Sequence, residues 1–378
     1  MDLERRRYRI TALSPLHIGS GDLLYVSTDY VQLEQRLFVF DQKRLVGLLK
    51  ERGILTTFVS EMAQKGRSFN IKDFLRRFNL DRNEVLEKVS SYQIEVKGSP
   101  REFRPFIKTQ GKPYIPGSSV KGALRVALLY NILKDCSSQL ENILFSPIKI
   151  QLDKLSKILD QKKYSEQRKK LRRNLGKFLE ELLNGFSLSD KKGSPNSDLF
   201  RCLKISDSEP LSPSNLVVIP VKTEKITGGT SAETYVEALK PGTNFFVDIN
   251  IDWELFSQFR KENLGGITFK GIRIEFSAYE RMLQKPFATA RTMVHDLLKQ
   301  EQELPWKLAF GEKQPNFRLG WGQGLLSASV FPLLPKDLRS QVRNILFKDE
   351  RAQPAPLTRK VFNNQMMGFC WAGRRKEK

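Results

Sequence analysis

The stretch from Tyr114 to Arg125, YIPGSSVKGALR, constrains the fold of this chain most, because it predicts a turn that leads directly into a long helix. A Pro-Gly pair is typical of turns, and either Ser118 or Ser119 is a favourable N-cap. Apolar residues then recur at helical spacing as far as Ile132. The pattern therefore predicts a helix over residues 118–135.

Two features of this helix start are unusual. Lys121 and Arg125 place two cations in the first turns, where the helix macrodipole favours anions. Gly122 costs about 1 kcal/mol relative to alanine inside a helix. A phosphate bound at the N-terminus accounts for both, since hydroxyls and cations would surround it while the glycine lets a backbone come close. The alternative is an amphipathic helix with a solvated basic edge.

The charge of the whole chain favours a polyanionic partner. Its 378 residues include 64 Lys and Arg against 42 Asp and Glu, a formal net charge of +22. Such an excess points to nucleic acid more than to a membrane, because no apolar run approaches the length of a spanning helix. The charged N-terminus argues against a signal peptide, and three distant cysteines argue for a reducing cytoplasm.

The hydrophobic pattern of the other segments predicts an α+β protein. We expect strands at residues 5–13, 30–33, 37–40, 92–96, 103–108, 198–208, 216–226, 235–239 and 245–251. We expect helices from the N-cap Asp41 to Gly53, within residues 54–90 and over residues 277–300. This order favours two ferredoxin-like sandwiches of the RNA-recognition type, the first over residues 1–208 and the second over residues 209–378.

A basic helical insertion interrupts the first predicted domain at about residues 136–190. Two amphipathic helices are predicted there, and a run of cations lies between them: Lys162, Lys163, Arg168, Lys169, Lys170, Arg172 and Arg173. The run is typical of a solvated helix face. With the chain already so basic, it is also consistent with a share in binding a nucleic-acid backbone.

Two glycine-containing loops carry further candidate residues. Residues 14–22, SPLHIGSGD, suggest either a backbone platform beside RNA with His17 as an acid or base, or a hairpin loop with a packed histidine. Residues 318–324, RLGWGQG, alternate glycine with other residues, so that backbone can approach a polyanion while an indole offers a stacking face. The alternative there is a glycine-rich turn with a core tryptophan.

Residues 11–21, 114–125 and 318–324 together resemble the RAMP superfamily of CRISPR RNA-binding proteins. The order of these motifs, the length of the chain and its basic insertion most resemble the fifth subunit of the Csm complex, the type III-A CRISPR effector. The resemblance implies ferredoxin-like folds and an end subunit that holds the 3′ part of the guide RNA against the repeated backbone subunits. It also implies a role in guide maturation for antiviral defence, in which cellular nucleases are recruited or positioned.

The same resemblance implies which residues touch RNA. By match to the superfamily signature, they are Ser118, Ser119, Lys121 and Arg125. His17, Arg318, Gly320, Gly322 and Gly324 are further candidates from the two loops.

The sequence offers little support for catalysis. It contains two histidines, His17 and His295, and no clustered metal ligands, P-loop or nucleophile elbow. We therefore expect a non-catalytic, cytoplasmic RNA-binding subunit without a cofactor. One alternative is a metal-independent endoribonuclease that processes precursor RNA with His17 as acid or base. Another is a free-standing RNA-binding protein.

Overall fold

The computed structural model describes residues 3–157, 165–167, 169–170, 177–188, 195–302, 306, 310, 312–347 and 357–375. Helices and strands are mixed along the chain, as the α+β prediction expects. Among these residues, no helix combines the length and apolar character needed to cross a membrane.

The strands follow one another as β1 (Leu3–Ala12), β2 (Leu24–Tyr25), β3 (Tyr30–Leu33), β4 (Arg36–Phe40), β5 (Ser90–Val96), β6 (Glu102–Phe103), β7 (Lys108–Thr109), β8 (Lys112–Pro113), β9 (Leu203–Ile205), β10 (Leu216–Lys225), β11 (Thr230–Leu239), β12 (Asn244–Asp252), β13 (Gly266–Phe269), β14 (Ile272–Glu275), β15 (Phe317–Arg318), β16 (Thr358–Phe362), β17 (Gln365–Met366) and β18 (Phe369–Arg374).

The α-helices are α1 (Gln42–Glu51), α2 (Leu55–Lys65), α3 (Ile71–Arg77), α4 (Asn83–Val89), α5 (Gly117–Asp135), α6 (Ser146–Ser156), α7 (Glu181–Asn184), α8 (Trp253–Glu262), α9 (Phe276–Gln284), α10 (Pro286–Glu301), α11 (Gly324–Ser327) and α12 (Lys336–Phe347). A π-helical segment spans Glu141–Phe145, and short 3-10 turns span Gly66–Ser68, Ser137–Gln139, Lys177–Glu180, Pro195–Ser197, Leu199–Cys202, Pro213–Asn215 and Phe331–Leu333.

Two large sheets organise the fold. The five-stranded sheet is antiparallel throughout, in the order β15-β18-β1-β12-β9. The seven-stranded sheet has the order β17-β16-β10-β5-β4-β3, with β11 also paired to β10. Each sheet takes strands from both sides of the predicted boundary at residues 208 and 209. That boundary therefore does not separate the sheets, and as a division into domains it stays a prediction.

Alternation along β1 sets the two faces of the five-stranded sheet. Tyr8 and Ile10 are buried in the main core, whereas Arg9 between them is exposed. Val120 and Leu124 of α5 belong to the same core, and α10 packs against α5. The helices thus cover the apolar face of this sheet, and the exposed Arg9 points away from them. A separate core forms between α1–α4 and the β3–β4 hairpin.

Most predicted elements are present. The strand at residues 5–13, the hairpin at 30–40 and the strands at 92–96, 216–226, 235–239 and 245–251 are confirmed within a few residues. Asp41 caps α1, because its side chain accepts hydrogen bonds from the backbone N–H groups of Lys43 and Arg44. Sequence reasoning did not predict α8, α12 or the C-terminal strands β16–β18.

Three predicted elements need correction. The strand at 103–108 is broken around Pro105, which has no N–H to donate to a ladder. Residues 199–202 form a 3-10 turn, because Asp198 caps it by accepting from the Phe200 N–H at 2.9 Å. The helix predicted at 277–300 is divided into α9 and α10, and α10 begins with Pro286. Of the basic run, Lys169 and Lys170 are exposed, and the other five residues lie outside the described part of the chain.

Two glycines of α5 have opposite surroundings. A Cβ added to Gly117 would lie 2.3 Å from the Ile205 carbonyl oxygen and 2.6 Å from that of Ser206. A Cβ added to Gly122 would meet nothing within 4 Å. Gly117 is therefore required by the close approach of β9, whereas Gly122 leaves open space beside the helix.

We therefore expect opposite stability changes from the same substitution. Gly117→Ala should lower the free energy of unfolding by about 1–3 kcal/mol, because backbone atoms must move to make room. Gly122→Ala should raise it by about 0.5–1 kcal/mol, because alanine favours the helix. Urea unfolding of the two variants beside the unmodified protein measures both. Equal effects from the two substitutions would contradict this account of the helix start.

Candidate nucleic-acid interface

Helix α5 begins one residue earlier than predicted, and neither serine caps it. The N-cap is Pro116, with no side-chain hydrogen bond to the first turn. Instead, the Gly117 N–H donates to the Asp207 carboxylate at 2.8 Å. The helix start thus does attract an anion, but the anion is a carboxylate of the chain itself. Ser118 is exposed beside it, and Ser119 is half-buried.

The two cations near the start of α5 face the segment around residues 198–204. Arg125 donates from Nη1 to Asp198 Oδ2 at 2.6 Å, and its guanidinium carbon lies 5.5 Å from the centre of the Phe200 ring. Lys121 is half-buried, and burial lowers its pKa against the opposing effect of Asp198. Among the described residues it forms no ion pair. Arg125 is thus a structural partner of Asp198, whereas Lys121 has no carboxylate within ion-pair distance among the described residues.

The next face of α5 lines a groove in which the three sequence motifs meet. Ser119 and Gly122 form one wall. Gly19 of the N-terminal loop and the segment from Leu319 to Trp321 form the others. Residues 300 or more positions apart in sequence, such as Gly19 and Trp321, are therefore brought to one site.

Direct backbone contact joins the two loops. The Trp321 N–H donates to the His17 carbonyl oxygen at 2.7 Å. Gly320 has a φ of +80°, and a Cβ there would lie 2.4 Å from the same oxygen. Only glycine fits this position. Gly322 packs against the side chains of Lys360 and Met367, and Gly324 begins α11 with open space around it.

Arg318 supports the glycine-rich loop from inside. Its side chain is buried and donates to the carbonyl oxygens of Met367, Gly322 and Gln323 and to Ser327 Oγ, at 2.9–3.1 Å. Burial lowers the pKa of Arg318 to about 10, so the group remains charged at neutral pH. Four of the five guanidinium N–H donors are thus directed at the protein, which favours a supporting role for Arg318, and its direct contact with RNA stays a prediction.

His17 is a packed histidine. Its ring is 2% exposed, and Nδ1 lies 2.6 Å from the Glu237 carbonyl oxygen. Burial lowers the pKa of His17 to about 4, with a smaller contribution in the same direction from the cations Arg104 and Lys108 and against the opposing effect of the hydrogen bond to Glu237. The ring is therefore neutral at physiological pH, which fits the packing interpretation of His17 better than an acid–base role.

The carboxylate of Glu237 is fully buried behind the groove. It accepts from Tyr92 Oη at 2.6 Å, from the Phe106 N–H at 2.7 Å and from Lys108 Nζ. Burial, followed by the Glu237 charge, raises the pKa of Tyr92 well above its usual value. These bonds fix the loop that carries His17, because they anchor the residues packed beneath it.

Three groups beside the groove were absent from the predicted site residues. Trp321 is half-buried in the wall, and its ring centre lies 4.9 Å from Lys360 Nζ. Arg104 is exposed and close enough to lower the pKa of Lys360. The glycine-rich motif signalled Trp321. No local pattern marked Lys360 or Arg104, because both depend on strand pairing far along the chain.

The site offers hydroxyls, an indole, cations and an open helix surface. Those groups suit a phosphate backbone with unstacked bases. Within the described residues, no group of three or more His, Cys, Asp or Glu side chains is arranged to hold a metal ion.

Comparison with known proteins identifies the family to which this chain belongs. A profile of the RAMP superfamily matches residues 9–327. The "CRISPR system Cms protein Csm5" of Streptococcus thermophilus is 23% identical over 234 residues, which is 58% of this chain and 55% of that protein. The protein of the same name from Methanocaldococcus jannaschii is 25% identical over 338 residues, 86% of this chain and 72% of that one. The alignments thus span between about half and three quarters of these two relatives.

Solved structures share the fold. A chain of the "Csm-crRNA-target RNA ternary complex in type III-A CRISPR-Cas system" superposes with a TM-score of 0.72 at 23% identity, covering 98% of this chain and all of that one. The T. onnurineus Csm5 crystal structure gives a TM-score of 0.62 at 23% identity, covering 96% and 99%. With the family profile extending over most of its length and all three motifs meeting in one groove, the chain belongs to the RAMP superfamily.

Proposed function

We propose that this chain is the RNA-binding end subunit of a type III-A CRISPR effector, the Csm complex. It holds the 3′ part of the guide RNA beside the repeated backbone subunits and supports guide maturation in antiviral defence. The observation that carries this proposal is the groove where the three motifs meet. The names of its relatives and the complex in which a structural neighbour was solved support it.

The positions of the candidate residues suggest that they contact different parts of the RNA. Trp321 stacks on a base, while Ser119 and the bare surface at Gly122 admit the backbone. Lys121, Lys360 and Arg104 supply charge for phosphates, and the exposed Ser118 hydroxyl is a further donor.

The remaining candidates act indirectly. Arg125 keeps Asp198 neutralised beside α5. Arg318, His17, Gly320, Gly322 and Gly324 shape the two loops.

We propose further that each large sheet with its helices is a ferredoxin-like sandwich, and that the protein works in the cytoplasm without catalysing RNA cleavage. Cellular nucleases would then trim the guide while this subunit positions it. The alternative, an endoribonuclease that uses His17, requires a protonatable ring exposed to RNA. The burial of His17 and its pKa of about 4 weigh against that role.

Purification from native cells tests the assembly. Under mild salt we expect the tagged protein to bring with it short RNAs with repeat-derived ends and other RAMP subunits. A free-standing RNA-binding protein would bring RNA of mixed origin and no such subunits. That result would overturn the proposal.

The Lys121 charge can be tested against a matched cation. Lys43 lies exposed in the first turn of α1, a helix of the separate core that does not line the groove, so Lys43→Glu makes the same charge change at another helix start. Lys121→Glu should weaken single-stranded RNA binding about tenfold or more, because a charge-assisted hydrogen bond is worth about 1.5–3 kcal/mol. Lys43→Glu should weaken it less than about twofold.

Fluorescence anisotropy gives the affinities, and circular dichroism confirms folding. Arg125 stays unchanged in this test, because its replacement would remove the direct 2.6 Å ion pair with Asp198 and could alter the fold. Similar losses from both variants would mean that net charge matters and that this part of α5 is not a site.

Catalysis is tested with a repeat-containing RNA. The isolated protein should leave it uncut with or without magnesium, because the ring of His17 is neutral and enclosed. Denaturing gels over several hours measure this. Cleavage that disappears in a folded His17→Gln variant would instead establish the endoribonuclease function.

A further inference from the structure

The face of the five-stranded sheet turned away from the helices carries aromatic and cationic side chains that the groove does not use. Arg9 of β1 is exposed at its centre. In the strand pairing it lies opposite Phe246 of β12 on one side and Gly373 of β18 on the other. The apolar side chains that alternate with Arg9 belong to the core under α5, so this face and the groove lie on different sides of the molecule.

Trp371 lies flat on this face. A Cβ at Gly373 would come within 2.3 Å of the indole Cη2, so the ring occupies the space that any other residue would fill. Lys313 Nζ lies 4.7 Å from the indole, and the Arg9 guanidinium carbon lies 5.7 Å from it. The indole is half-buried, so it keeps a surface open to solvent with cations beside it.

Phe246 has equivalent surroundings across β1. The guanidinium carbons of Arg7 and Arg375 lie 5.2 Å and 5.4 Å from its ring centre. Because Trp371 folds over Gly373, both rings lie level with Arg9. Strand spacing then separates them by about 10 Å.

Cations outnumber carboxylates on this face. Arg5 pairs with Asp248, and Arg7 pairs with Glu209. Lys204, opposite Asn250 of β12, pairs with Asp252. Within the described part of the chain, Arg9, Lys313 and Arg375 on the same face form no ion pair with a carboxylate. Such a surface complements a polyanion.

We propose that the surface formed by Arg9, Phe246, Lys313, Trp371 and Arg375, here named the sheet platform, is a second binding site for single-stranded RNA. Bases stack on the two aromatic rings, and the three cations contact phosphates. Aromatic rings on an open sheet flanked by cations are the combination that binds unpaired nucleotides without strong sequence preference. This inference goes beyond the guide-holding groove, because it concerns the opposite side of the sheet.

Two RNA oligomers distinguish the contribution of base stacking to binding at the platform from the contribution of charge. One is a short oligouridylate, and the other is an abasic ribose-phosphate oligomer of equal length. Trp371→Ala should weaken oligouridylate binding about tenfold and leave the affinity for the abasic oligomer nearly unchanged. Trp371→Phe should retain most of the oligouridylate affinity, since a phenyl ring still stacks. Arg9→Gln should weaken binding of both oligomers, whereas Lys43→Gln, a change on exposed α1, should affect neither strongly.

The platform is best measured in protein that carries Lys121→Glu, because RNA binding in the groove would otherwise hide RNA binding at the platform. In that background, oligouridylate carrying 4-thiouridine should photocross-link to peptides of β12 and β18, and adding Trp371→Ala should remove the β18 cross-link. Equal oligouridylate affinity for Trp371→Ala and its parent would overturn the proposal. So would a variant that binds RNA normally but no longer co-purifies with protein subunits, since the platform would then be a protein interface.

These outcomes are distinguishable from those of the proposed function. A protein that cross-links through β12 and β18 but brings no guide RNA or RAMP subunits from cells retains the platform and loses the complex assignment.

Discussion

The buried carboxylate of Glu237 is the interaction on which the candidate groove depends. Burial of a charged group destabilises a fold unless the group is paired and hydrogen-bonded. Here Tyr92, Lys108 and the Phe106 N–H together donate to the Glu237 carboxylate. The backbone carbonyl of the same residue holds His17 Nδ1. His17 in turn presents its carbonyl oxygen to the Trp321 N–H, which positions the glycine-rich loop. One buried charge thus ties β5, β11 and both loops into a fixed arrangement.

Much of the fold was predictable because its signals are local. The alternation in β1, the Asp41 cap and the β3–β4 hairpin follow from neighbouring residues. The pairing of β1 with β12 and β18 was not predictable, because it depends on contacts across more than 200 residues that leave no pattern in either strand. For the same reason, the order of elements predicts a division near residue 208 without revealing that strands on both sides of it share each sheet.

The candidate site, like the fold, was predictable only where local sequence determines it. Sequence motifs identified the two loops and α5, and the structure brings them together. They did not reveal that Asp207 meets the Gly117 N–H or that Asp198 pairs with Arg125. Those carboxylates change the expected role of the helix start. A phosphate placed on the helix axis would repel Asp207, so the favourable place for RNA shifts toward Ser119 and Gly122, where the groove is open.

The two-residue period of β1 has a consequence for the distribution of charge. Even-numbered side chains such as Tyr8 and Ile10 build the core, so the odd-numbered Arg5, Arg7 and Arg9 project from the opposite face. Repulsion among those arginines is eased where Asp248 and Glu209 pair with two of them, while Arg9 is left between two aromatic rings. Cation–π contacts stabilise a guanidinium only modestly at an exposed site and leave most of its charge available. The same alternation that secures the core therefore maintains a basic, aromatic surface across the sheet from the groove.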